Sequence, residues 1–238
     1  MLKEQAVEWL KEQYCENVSG DSFKLADYVF VEHGERQQML DDNRYELYLM
    51  HNLEWAPIIS EQKQKKINGM SDETQAYYQR ILDDEGRFVV SQLNHYPILL
   101  MVQGNVKWNG KLDMSSLKLY DGDIEITEEY WQQLNDKLEI SWTAASYANA
   151  WAHKNPERMS LYGVTEGIEF SDEIYHVAQS EFVTQAQLAA RSYNGSAGLI
   201  AIQMPLPLEE NMSVMHYLDM ALEKQNGEWF VTKAHLKE

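Results

Sequence analysis

Asp121-Gly122-Asp123-Ile124-Glu125 brings three carboxylates close together, the chemistry a hard cation needs. A calcium loop also requires a glycine at its sixth position and an acidic ligand at its twelfth. This stretch lacks that glycine, and its twelfth residue is Gln132, so it reads as a hairpin turn. No His-x-x-x-His, His-Glu-x-x-His or paired-cysteine spacing occurs, so no zinc site and no metal are expected. Phosphate-cradling glycine loops and Gly-x-Ser-x-Gly are absent too, so no cofactor is expected. Cys15, the lone cysteine, sits in an amphipathic helix pattern and reads as a small apolar residue. Lys63-Gln64-Lys65-Lys66 is the one basic run, and reads as a solvated helix face rather than a phosphate site.

The net charge of -18 disfavours nonspecific nucleic-acid binding, which draws its affinity from lysine and arginine displacing counterions. Such acidity suits solubility, or docking to a basic protein partner. A single cysteine allows no internal disulfide, which fits a cytoplasmic location. The N-terminus has no hydrophobic leader core, and the longest apolar stretch, Pro97–Val102, is of strand length. No membrane partner is expected. Asn17, Asn194 and Asn211 head glycosylation-type triplets, read as chance without a secretion signal.

These residues must be positioned by helices and strands that the patterning predicts. Leu2, Ala6, Trp9, Leu10 and Tyr14 recur at helical spacing. Ala26–Glu32 and Arg44–Met50 read as strands that can pair, while Glu35–Leu40 between them fits a short helix equally well. Ser60–Leu82 reads as helical with a break at Asn68-Gly69 and an N-cap at Ser71. Arg87–Leu93, Ile98–Val102 and Leu117–Thr127 read as strands. Asn109-Gly110 predicts a type I′ hairpin. Thr127 caps a helix to about Leu138, and a second helix starts near Ile140 and stops at Asn155-Pro156. Trp142, Ala145, Ala148, Ala150, Trp151 and Ala152 cannot share one stripe, so that helix is expected to be covered on most sides. Gln185–Arg191 looks helical. The last two strands meet at Asn226-Gly227. The chain is read as α+β, with a smaller α+β part over 1–138 and a second domain over 139–238.

Ala144–His153, then Asn155-Pro156-Glu157 and Leu161-Tyr162-Gly163, then the strands Val214–Glu223 and Glu228–Leu236, resemble the NTF2-like (cystatin-like, SnoaL-like) family. The resemblance covers about two-fifths of the chain. It implies a curved antiparallel sheet wrapped on a helix, a conical pocket between them, and a homodimer through the sheet. It implies no one chemistry, because the family includes isomerases, dehydratases and non-catalytic binding modules. In such a cone Trp142, Trp151, Tyr162 and His216 are the expected ligand-pocket residues. By analogy with ketosteroid-isomerase-like members, Tyr147, Glu166 and Asp219 are the candidate acid–base set. The alternative leaves Tyr147 packed, Glu166 on the surface and Asp219 on the outer face of the sheet. With no catalytic motif found, the leading expectation is a non-catalytic binding or assembly protein that takes a small molecule or a protein partner. A small-molecule isomerase or lyase, and an acidic inhibitor or immunity protein, are the alternatives.

Overall fold

Ala6 and Leu10, four apart on α1 (Leu2–Tyr14), are the buried positions of the first helix, as its spacing predicts. The computed structural model describes residues 1–14, 22–25, 28–40, 43–54, 57–88, 96–175, 192–207 and 213–237. The fold is α+β with two antiparallel sheets. Contacts gather the chain into two compact units, Met1–Trp55 with Asn94–Gln132, and Ala56–Leu93 with Gln133–Glu238. The segment from Ala56 to Leu93 thus groups with the C-terminal residues.

The first unit is a sequential meander of β1 (Ser22–Leu25), β2 (Tyr28–Met39), β3 (Arg44–Glu54), β4 (Tyr96–Asn105), β5 (Lys118–Asp121) and β6 (Ile124–Glu125). Tyr45, Leu47 and Leu49 alternate along β3 and are buried, as are Leu100 and Val102 on β4. Residues 35–39 belong to β2 rather than to a short helix, because Gln37 and Met39 pair with Leu47 and Tyr45. Glu46 lies on the opposite face of β3 and is also buried. It accepts from Gln38 Nε2 and Tyr48 Oη at 2.6 Å each and from Gln103 Nε2 at 2.9 Å. The stretch 117–127, read as strand with a hairpin turn at Asp121–Glu125, forms β5 and β6 as a tight hairpin turning at Gly122 with φ 57°. At Asn109-Gly110 only Gly110 has positive φ, and Gly110 N donates to Lys107 O at 2.9 Å. The hairpin forms, but with a type I rather than a type I′ turn.

In the second unit, α2 (Glu61–Ile67) and α3 (Asp72–Ile81) are capped by Ser60 and Ser71, and the break falls between them as predicted. Glu157 reinforces the second cap, accepting from Ser71 N at 2.8 Å and from the Ser71 and Thr74 hydroxyls. Arg87 and Phe88 form isolated bridges, to Ile58 and Leu82, and the rest of the strand expected there lies outside the described residues, as do Cys15 and Gln185–Arg191. Helix α4 (Glu128–Ala152) is one 25-residue helix rather than two. No glycine or proline interrupts it, and the Ser141 hydroxyl stays within the helix by bonding back to Lys137 O at 2.8 Å. Every residue from Ile140 to Trp151 is buried, so this end is covered all round. Asn155 then caps α5 (Pro156–Met159).

The sheet of this unit runs β10 (Glu228–Lys237), β9 (Ser213–Gln225), β8 (Ala197–Pro207), β7 (Ser192–Tyr193). Asn226 and Gly227 have φ of 52° and 87°, which fits the type I′ turn predicted there. Ile200, Ile202, Met204, Leu218, Met220, Leu222, Trp229 and Val231 make the buried face. Asp136 ties α4 to this sheet, accepting from Lys224 Nζ at 2.6 Å and Trp229 Nε1 at 3.3 Å.

Candidate functional site

The chain leaving α5 decides what the α4–sheet interior can do. Gly163 bridges Val231 in parallel, with Val231 N donating to Tyr162 O at 2.8 Å and Val164 N donating to Val231 O at 3.0 Å. That arrangement sets Val164 O against α4, where the Tyr147 hydroxyl donates to it at 2.7 Å. Tyr147 is fully buried, and burial pushes its phenol up to about 12. The phenol stays protonated at neutral pH and donates to a backbone carbonyl.

Of the residues expected to line a cone, Trp142, Trp151 and Tyr162 are core residues, while His216 is half-buried. Trp142 meets Phe88 edge-on at 4.5 Å between ring centres. Trp151 Nε1 donates to Glu169 O at 3.1 Å, and its ring lies 5.7 Å from Tyr175. The Tyr175 hydroxyl lies 3.0 Å from His216 Nδ1, so His216 is joined to Trp151 through one aromatic ring. Tyr162 accepts from the Tyr78 hydroxyl at 3.2 Å, and its burial raises its phenol well above the ordinary value. Trp151 and Met220 are each 3% exposed, so side chains fill this space.

The groove lies on the other face of the sheet. It has a volume of about 560 Å³, with the loop Val164–Ile168 as one wall. Leu199, Ala221 and Lys233 stand in register across its floor, with Asp219 beside His235. Leu218 and Met220 point the opposite way and are buried, so Asp219 faces outward. Glu166 and Asp219 therefore share the groove, whereas Tyr147 is sealed on the far side of the sheet. Lys233, His235 and Leu199 were not singled out from the sequence. For Lys233 and His235 the signal was their two-residue alternation with Lys237.

Lys63 does not belong to a solvated basic face. Its side chain is 12% exposed, its Nζ lies 3.3 Å from Glu228 Oε2, and the rings of Tyr162 and Phe230 are within 5.4 Å of it. Burial lowers its ammonium below the usual lysine range, against the pull of Glu228, and burial raises the nearby Glu139 carboxyl. Among the described residues no three His, Cys, Asp or Glu side chains gather as a metal would require, and no helix is long and apolar enough to cross a membrane.

No family model and no curated protein matches the chain. Among solved structures it is similar to an NTF2 like protein involved in plasmid conjugation, at 7% identity and a TM-score of 0.28, over 90% of this chain and 79% of that one. Similarity at that level carries no argument about what this chain does.

Proposed function

We propose that this protein is a non-catalytic binding protein, and that its second unit receives a ligand in the groove between the loop Val164–Ile168 and the outer face of the sheet. The observation that carries this reading is the hydrogen bond from the buried Tyr147 hydroxyl to Val164 O. With the phenol so committed, Tyr147 cannot act with Glu166 and Asp219 in the groove. The groove instead offers an apolar floor at Leu199 and Ala221, two carboxylates, the Lys233 ammonium and the His235 imidazole. Paired charges over an apolar floor suit a ligand rich in amides or carrying both charges.

The test is an NMR titration of the isotope-labelled full chain with a fragment set of dipeptides and amino-acid amides. The expected responders are Leu199, Asp219, Ala221 and Lys233, with Trp142, Tyr147 and Trp151 unmoved. Responses centred on those three buried residues would overturn the proposal. So would a turnover of any fragment that Asp219→Asn abolishes.

A further inference from the structure

We propose that the outer edge of β10 takes an added strand, supplied by an extended segment of another polypeptide that alternates acidic and apolar side chains. This rests on the groove reading above, since the groove wall springs from the same edge.

β10 is an edge strand of its sheet. The N–H and C=O of Val231 both bond the segment Tyr162–Val164, so Val231 turns its backbone groups away from β9. In an antiparallel ladder this orientation alternates, and the bulge between Val231 and Lys233 inserts one residue into the count. Ala234 and Leu236 are therefore the next residues to present N–H and C=O outward. Among the described residues no strand pairs with β10 on that side beyond the Gly163–Val231 bridge. Among the described residues the edge is thus a short template of unpaired donors and acceptors, beginning where the loop Val164–Ile168 turns away over the sheet.

The side chains along this edge specify its occupant. Lys233, His235 and Lys237 are exposed on the outer face, and they make no ion pair among the described residues. Ala234 and Leu236 are half-buried on the inner face. A strand laid beside β10 sets its alternate residues next to these two rows. Carboxylates would then meet the basic row and apolar groups would meet Ala234 and Leu236. Backbone bonds supply affinity in this mode of recognition, and the alternate side chains supply selectivity. A second copy of β10 fits poorly, because it would bring lysine and histidine against lysine and histidine, and like charges opposed across strands destabilise the pair.

The test uses the full chain with the capped peptides acetyl-(Glu-Val)3-amide and acetyl-(Lys-Val)3-amide, read by amide hydrogen exchange and NMR shifts. The expected result is slowing of exchange at the Ala234 and Leu236 amides by about tenfold or more with the acidic peptide alone. Ala234→Pro removes an outward N–H that the β9 ladder does not use, and edge strands tolerate proline, so peptide binding should vanish while the thermal midpoint holds. Should that variant unfold, Lys233→Glu with Lys237→Glu serves in its place and should transfer the preference to the basic peptide. Shifts at Leu199, Asp219 and Ala221 with both edge amides still exchanging freely would overturn strand addition and leave groove binding standing. No response to saturating acidic peptide would overturn it as well, while the fragment titration judges the groove separately. A dimer that Ala234→Pro dissociates would overturn it by giving the edge to a second copy.

Discussion

Gly163→Ala is the sharpest probe of how the groove wall is held. A Cβ at this position would stand 2.6 Å from both Val231 Cβ and Val231 O, and 3.0 Å from Tyr147 Cε2. Carbon atoms settle at about 3.5–4.0 Å, so relief requires a displacement of about 1 Å. Val231 and Tyr147 are buried, and one obstacle is a backbone oxygen that no rotamer change can move. Overpacking of a closed site costs about 1–3 kcal/mol. Parting the two strands also weakens the bonds of Val231 N to Tyr162 O and of Val164 N to Val231 O, at about 1 kcal/mol each. A loss of about 3 kcal/mol is therefore expected, which for a chain of this size lowers the thermal midpoint by about 6–12 °C. Gly163 is not in the left-handed region, so the loss is steric. Gly167→Ala is the matched control. Its φ is 72° with nothing within 4 Å of the new Cβ, so backbone strain acts alone, at about 1–2 kcal/mol. Urea unfolding followed by tryptophan fluorescence compares the two, with the buried Trp229 as a reporter two residues from Val231. A Gly163→Ala midpoint equal to that of the parent, or above that of Gly167→Ala, would refute the close approach and the wall built on it.

Three other substitutions probe the polar contacts. Tyr147→Phe takes from Val164 O its bond to the buried phenol and should cost about 1 kcal/mol in urea unfolding, with groove binding retained; unchanged stability would mean that the hydrogen bond is absent. For Glu46, burial pulls the carboxyl up, but the hydrogen bonds from Tyr48, Gln38 and Gln103 outweigh it and hold it below the ordinary range. A depressed carboxyl stabilises the fold above its unfolded pKa, and the contribution is lost as pH falls through the folded one. Glu46→Gln should therefore lose about 2 kcal/mol at neutral pH and flatten the acid limb of the stability curve; a parallel acid limb in the variant would contradict this. Asp136→Asn removes the charge facing Lys224 Nζ at 2.6 Å. Because Lys224 can still reach water, the cost should stay near 2 kcal/mol, below that of a fully buried pair. A cost above about 4 kcal/mol would show that Lys224 is sealed from solvent.

Local patterns survive in this fold wherever one residue or one period controls the outcome. The spacing of Ala6 and Leu10, the cap at Ser71, and the turn at Asn226-Gly227 all form as their chemistry predicts. The α4 break failed because a change from charged to uncharged sequence at residue 140 resembles a boundary, yet it marks only a change in what covers one helix. Glu46 shows the same limit from the other side. Its burial depends on Gln103, 57 positions away, and no local pattern could display that bond.

The candidate site was hidden by a single inserted residue. Counting back from the Asn226-Gly227 turn pairs Ala234 with Asp219 and turns Lys233 inward beside Met220. The observed pairs are Ala234 with Met220, Lys233 with Ala221 and His235 with Asp219, because the bulge between Val231 and Lys233 shifts the register by one. Strand side chains alternate between faces, so one extra residue exchanges the two rows completely. Without it two lysines and a histidine would point at the face that holds Leu218, Met220 and Leu222, where burying unpaired charge would cost more than the strand could return. With it they stand on the outer face beside Asp219 and Glu166. Desolvation of that basic row thus forces the bulge, and the bulge creates the groove's charge pattern. The amphipathic alternation of Lys233, Ala234, His235, Leu236 and Lys237, read against the turn, is therefore evidence for an inserted residue somewhere between Glu228 and Lys233.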